Sequence, residues 1–88
     1  MHAVIVSVTI NDGEEATQHL RSVIVPTVKQ APGFVAGYWV RGEDDKGRGT
    51  IVFESEDDAR AVRDQIQQDP GGAVTLDSVE VGEVVESA

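Results

Sequence analysis

Apolar and polar positions alternate from the start of the chain. In "HAVIVSVTI" (His2–Ile10), Val4, Val6, Val8 and Ile10 make one continuous apolar face, and Ala3, Ile5, Ser7 and Thr9 make a smaller, mixed one. Period two with β-branched residues predicts a strand, and two faces fit for burial predict a central one. After Asn11 the period lengthens. Asp12 is a candidate helix cap, with Glu15 three residues on, the spacing of a capping box. Ala16, Leu20, Val23 and Thr27, with Ile24 and Val28, then follow helical spacing. Pro26 interrupts them: it removes an amide donor, crowds the Ser22 carbonyl and disfavours helical angles at Val25. The pattern predicts a kink, or a break into two segments with Pro26 opening the second. Lys29 near the end suits the helix dipole.

"APG" (Ala31 to Gly33) stops this helix, and a second strand runs from Phe34 to about Arg41. Alternation places Phe34, Ala36, Tyr38 and Val40 on one side and Val35, Gly37, Trp39 and Arg41 on the other. The polar, Gly-rich stretch Gly42 to Gly49 reads as a hairpin loop, and Thr50 to Glu54 as the third strand. Ser55 caps a second helix to Gln68, with acids in its first turn and Ala59, Val62 and Ile66 as its apolar stripe. "DPGG" (Asp69 to Gly72) ends it. Ala73 to Glu86 is a long last strand, with a bulge or bend expected at Gly82.

The order β-α-β-β-α-β, with short connections, selects a split-βαβ, ferredoxin-like α+β fold over residues 1–88 as one domain. Four strands form an antiparallel sheet with two helices on one face. The strands are apolar on both sides, so the other face needs a partner, and homodimerisation through sheet faces is expected.

Composition narrows the functions. The formal charge is −9, from 16 acids against 7 bases, which disfavours nucleic acid and anionic membranes. Cysteine is absent, so disulfides and thiolate metal sites are excluded. Two distant histidines without clustered acids make no metal site. No apolar run nears the roughly 20 residues of a membrane span, and the N-terminus lacks a secretory pattern, so a cytoplasmic location is expected. Neither Gly-x-Gly-x-x-Gly nor a Walker loop is present, and no bound cofactor is expected.

"PGFVAGYWVRGEDDKGRGTIVFESEDDARA" (Pro32 to Ala61) resembles the middle of the dimeric α+β barrel superfamily, and within it small proteins related to antibiotic biosynthesis monooxygenases. The shared features are Pro-Gly-Phe before strand two, Gly-Tyr-Trp within it, the Gly-rich hairpin, "FESEDDA" leading into helix two, and the Pro-interrupted first helix. The resemblance implies a homodimer whose sheets close into a barrel, a bent last strand reaching toward the partner, and a ligand cleft between helices and sheet. Some such proteins oxidise aromatic polyketides with oxygen and no bound cofactor; others degrade heme. The heme-degrading relatives have an Asn inside strand one and a helical His in the second half, and this chain has neither.

The candidate site residues follow. Trp39 is a core or dimer-packing ring, or a wall of the cleft with Gly37 leaving space beside it. Tyr38 carries a hydroxyl able to bond a phenol, and Phe53 on strand three adds apolar wall. His19, beside Leu20 on helix one, is the candidate proton carrier. Alternation puts Tyr38 and Trp39 on opposite faces and leaves open which of them meets the cleft. The expected function is binding of a small aromatic ligand; the alternative is cofactor-independent oxidation of an aromatic or quinol-type substrate.

Overall fold

A computed structural model describes residues 1–69 and 71–88; Pro70, part of the expected helix stop, lies outside the described residues. The strands are β1 (His2–Ile10), β2 (Phe34–Arg41), β3 (Lys46–Phe53) and β4 (Val74–Glu83). They pair in the order β2-β3-β1-β4, antiparallel throughout. This is the ferredoxin-like arrangement, with the helices on one face. The first helical arm comprises α1 (Gly13–His19), a π-helical turn (Leu20–Ile24) and α2 (Val25–Lys29); the second helix is α3 (Glu56–Gln68). No helix among the described residues is long and apolar enough to cross a membrane.

The caps form largely as the residue types dictate. The Asp12 side chain accepts from the Glu15 N–H at 3.1 Å, and Ser55 Oγ accepts from the Asp58 N–H at 3.2 Å. The capping box at Asp12 is one-sided, because the Asp12 N–H donates to the Ala73 carbonyl at 3.3 Å. Pro26 stands in the first turn of α2, yet Val25 keeps helical angles, φ −61° and ψ −48°. The arm breaks into two α segments with Pro26 opening the second, as expected, and a π turn joins them: the Val25 N–H reaches back five residues to the Leu20 carbonyl. The wider turn relieves the crowding that the proline ring would impose on the Ser22 carbonyl.

Three strand expectations are corrected. β3 starts at Lys46, four residues before the expected Thr50, because Gly47 and Gly49 face the helices opposite Val8 and Val6 as ordinary ladder positions. The true turn is Gly42 to Asp45, closed by the Gly42 N–H to the Lys46 carbonyl at 2.7 Å, with Asp45 at φ 57°. Phe34 does not share a face with Tyr38. The β2–β3 register shifts between Phe34 and Ala36, and this turns Phe34 onto the helix side, edge-on to Phe53 with ring centroids 6.2 Å apart. In β4 the irregularity lies at Asp77 (Ser7 opposes Ser78, Val8 opposes Leu76), while Gly82 pairs regularly with Ala3. The apolar pairs Val74/Leu76 and Val79/Val81 change phase across Asp77, which displaces the bulge from Gly82.

The core occupies one end of the space between sheet and helices. Val4, Val28, Ile51, Phe53, Ala59 and Val62 form it, with Val4, Ile51 and Phe53 fully buried. α3 packs closely on β4, β1 and β3, whereas no comparably close backbone approach brings the first arm to the sheet. Gly33, at φ 77°, makes the turn into β2, and Asp58 occupies the place of its missing side chain.

Gly49 is buried, and a Cβ there would sit 2.9 Å from Val6 Cγ1 and 3.0 Å from Trp39 Cδ1. Gly49→Ala is expected to cost about 1–3 kcal/mol by overpacking. Gly72→Ala, where nothing lies within 4 Å, is expected to fall within about 0.5 kcal/mol of the parent. Thermal melts of the two variants check the pair.

Candidate functional site

The other end of the space between sheet and helices is open. A cleft of about 430 Å³ lies over the Ile10 end of the sheet. Its floor is Val6, Val8 and Ile10 of β1 with Gly47 and Gly49 of β3; its roof is Ala16, His19, Leu20 and Ile24 of the first arm. Ile66 of α3 and the segment from Gly71 to Val74 close the far side. The volume arises because two glycines raise no side chains from β3 at the place where the first arm stands off. Most of the lining is apolar, so the cleft favours a flat hydrophobic occupant.

Trp39 forms one wall. A Cβ on Gly37 would meet the six-membered ring at 2.8 Å, and one on Gly49 would meet the Nε1 edge at 3.2 Å. The indole therefore lies across both glycines, and the room expected beside it at Gly37 is filled by the ring itself. The remaining free side of the ring borders the cleft. Its adjacent residue turns the other way: Tyr38 is 70 % exposed on the sheet face that carries no helix. Phe53 is fully buried against Phe34 in the core. Tyr38 and Phe53 thus lie apart from the cleft, Tyr38 because strand alternation turns it away and Phe53 because Phe34 covers it.

His19 lines the cleft from the last turn of α1, and its ring edge lies beside Gly71, where a Cβ would come within 3.2 Å of Nε2. None of the ion pairs among the described residues involves His19 or Arg21. Arg21 and Arg41 stand at the mouth; Arg41 pairs with Asp45 at 3.3 Å. Sequence reasoning weighs Arg41, with Arg48, as an anion binder against pairing with the adjacent Glu43, Asp44 and Asp45; it misses Arg21, Gly47 and Gly49. The glycine alternation in "KGRGT" was the available signal, obscured by its position next to a true turn. Among the described residues no group of three His, Cys, Asp or Glu side chains is placed to hold a metal ion.

At the same end of the sheet, the open face carries a polar cluster. Lys46 Nζ donates to Thr9 Oγ1 at 2.6 Å and to Asp77 Oδ2 at 3.1 Å, and Thr9 Oγ1 donates to Asp77 Oδ2 at 2.9 Å. The cluster ties β3, β1 and β4 together beneath the cleft. The Thr9 hydrogen bond, then the Lys46 bond and charge, hold the Asp77 carboxyl below its ordinary 3.8. In the hairpin, the Arg48 hydrogen bond is the main cause holding Asp44 below 3.8, supplemented by the Lys46 N–H.

The fold is shared with a solved protein. The crystal structure of HapK from Hahella chejuensis superposes with a TM-score of 0.69 at 12 % identity, over 100 % of this chain and 96 % of that one. That likeness is one of fold. No protein-family model matches the chain, and no curated protein matches it.

Because both carboxyls titrate below their ordinary value in the folded state, their contribution to stability is complete above about pH 3.8 and is lost as pH falls through the lowered values. The thermal midpoint should therefore owe nothing of its slope between pH 5 and 7 to these groups. Below pH 4 it should drop, and less steeply in Asp77→Asn. Melts of both proteins from pH 7 to 2 check this.

Proposed function

We propose that this chain is a homodimeric α+β barrel protein that holds a small aromatic molecule in the cleft between sheet and first helical arm. The observation that carries the reading is the half-filled space itself: an apolar cleft of about 430 Å³ with the indole of Trp39 as one wall. A flat ring stacked on that indole would replace water with dispersion contacts and apolar burial. The resemblance of Pro32 to Ala61 to monooxygenase-related dimeric barrel proteins supports the same reading, and the likeness to HapK supports the α+β fold on which it rests.

The homodimer is supported by the open face. Ile5, Tyr38 and Val40 are 43 %, 70 % and 62 % exposed there, large side chains for a surface facing water. The face also carries both signs of charge, with Arg48 on β3 and Glu80 on β4. A second copy turned about a two-fold axis along the strands brings the Arg48 side of one face toward the Glu80 side of the other. Lys46 and Asp77 neutralise each other within the chain, which lowers the cost of covering them.

A second reading is favoured by His19, an imidazole on the cleft wall with no carboxylate partner among the described residues. It would accept the proton of a bound electron-rich phenol, and the desolvated phenolate would then react with oxygen. The distinguishing outcome is oxygen uptake with a bound quinol that His19→Ala abolishes while binding persists.

Titration with hydroxyanthrones, quinols, flavin and heme, followed by Trp39 emission, should give saturable quenching at micromolar ligand for at least one flat aromatic compound. An emission that no compound perturbs would remove the cleft from consideration as a binding site. Light scattering should give twice the 9.4 kDa chain mass at tens of micromolar protein. Tyr38→Glu should halve that mass without lowering helix content; a parent protein that is already monomeric would exclude the sheet-to-sheet dimer.

A further inference from the structure

We infer that the cleft selects aromatic molecules bearing an anionic group, with Arg21 and Arg41 holding that group at the mouth. The inference rests on the aromatic-ligand reading above and adds the class of molecule. Two arginines in a chain of only seven basic residues reach this one opening, from different elements: Arg21 from the π turn and Arg41 from the end of β2. Both line the apolar cleft and also the polar depression that adjoins it. Both arginines therefore border the passage from the apolar cleft to the polar depression.

Their availability differs from that of the other arginines. Arg48, Arg60 and Arg63 are each paired with a neighbouring carboxylate, and by register Arg48 directs its side chain to the open face. Arg21 has no ion-pair partner among the described residues. Arg41 pairs with Asp45, but the two side chains are 57 % and 73 % exposed, so the pair is weak and exchangeable. The Arg41 guanidinium also lies over Gly13, where a Cβ would come within 2.7 Å of Nη1, so the missing side chain leaves it room at the start of α1. A guanidinium beside an apolar wall suits a planar or tetrahedral anion, through charge-assisted and bidentate hydrogen bonds. Glu14 edges the same depression, Asp45 pairs with Arg41 there and Asp69 lies on the far side of the cleft, so an anion must draw on Arg21 and displace Asp45 from Arg41.

The net charge of −9 sharpens the test, since without a local cationic site this chain should repel anions. The full-length protein is titrated with 8-anilinonaphthalene-1-sulfonate and with N-phenyl-1-naphthylamine, the same ring system without the sulfonate. The indole N–H resonance of Trp39 reports the cleft alone, because the chain has one tryptophan. At low salt the sulfonate is expected to bind about tenfold tighter than the neutral amine, with the preference shrinking as salt rises. Arg21→Gln should cut that preference severalfold, and the Arg21→Gln/Arg41→Gln pair should abolish it. Lys29→Gln, which removes an equal charge outside the cleft, should leave it intact. Equal affinities for the two dyes, or an equal loss in Lys29→Gln, would overturn the anion site and leave the aromatic cleft standing. If neither dye moves the indole resonance, both the anion site and the aromatic-ligand reading fail.

Discussion

The contact of the Trp39 indole with the backbone at Gly37 and Gly49 divides the molecule into a packed half and an open half. On the His2 side of that ring, Ile51, Phe53, Phe34 and Val28 pack together between sheet and helices. On the Ile10 side, β3 offers Gly47 and Gly49 where a packed fold of this kind would place branched side chains. The Trp39 ring and Val6 take the space above Gly49, and Val8 and Ile10 lean over Gly47, so β3 itself raises no side chain toward the arm at either position. The cleft is therefore a consequence of side-chain volumes omitted in a single strand, bounded by the one residue large enough to close the core behind it. Core packing loses dispersion contacts wherever such a gap is left, so the gap costs stability in a chain with only a thin core to spare.

The first helical arm keeps that gap from collapsing. At its start, the Asn11 and Asp12 amides both donate to the Ala73 carbonyl, which ties the arm to the entry of β4. At its end, Val28 is buried in the core. Between these anchors runs the π turn at Leu20–Ile24, which inserts an extra residue per turn and carries Leu20, Arg21 and Ile24 along the cleft. Pro26 is the chemical reason for the π turn, since a proline cannot supply the next helical hydrogen bond. A residue outside the cleft thus sets the orientation of the residues over it, in keeping with the frequency of π turns at functional sites.

Much of this architecture was legible in the residues. The alternation in β1, the caps at Asp12 and Ser55 and the stripe Ala59, Val62 and Ile66 each follow from local chemistry, and each stands where that chemistry puts it. The failures share a cause: they depend on what a partner strand does. Gly47 and Gly49 read as loop because glycine is a turn residue, and only the facing Val8 and Val6 explain them as strand. Phe34 read as a neighbour of Tyr38 because alternation was counted through Val35, where the strand slips one residue against β3. Of the candidate site, Trp39 and His19 both line the cleft, whereas Tyr38 does not because alternation turns it to the open face, and Phe53 does not because Phe34, turned inward by that slip, packs on it in the core. Facing direction is local in a strand only until a bulge resets it. Arg41 stands out in the sequence beside the acidic hairpin, but its juxtaposition with Arg21 could not be found there, since 20 positions and an entire strand separate the two.

Net charge, the property read first from the composition, bears least on the site. The acids are spent locally: Asp12 on a cap, Glu56 to Asp58 on the first turn of α3, Asp44 on the hairpin and Asp77 on the bridge to Lys46 and Thr9. Fields from such exposed groups decay over about 8–10 Å in physiological salt. What a molecule entering the cleft meets is therefore set by the groups within a few ångströms of the opening: the guanidinium groups of Arg21 and Arg41, the Asp45 carboxylate paired with Arg41, and Glu14. Arg21 has no ion-pair partner among the described residues, so the placement of single groups, and not net charge, decides what the opening presents.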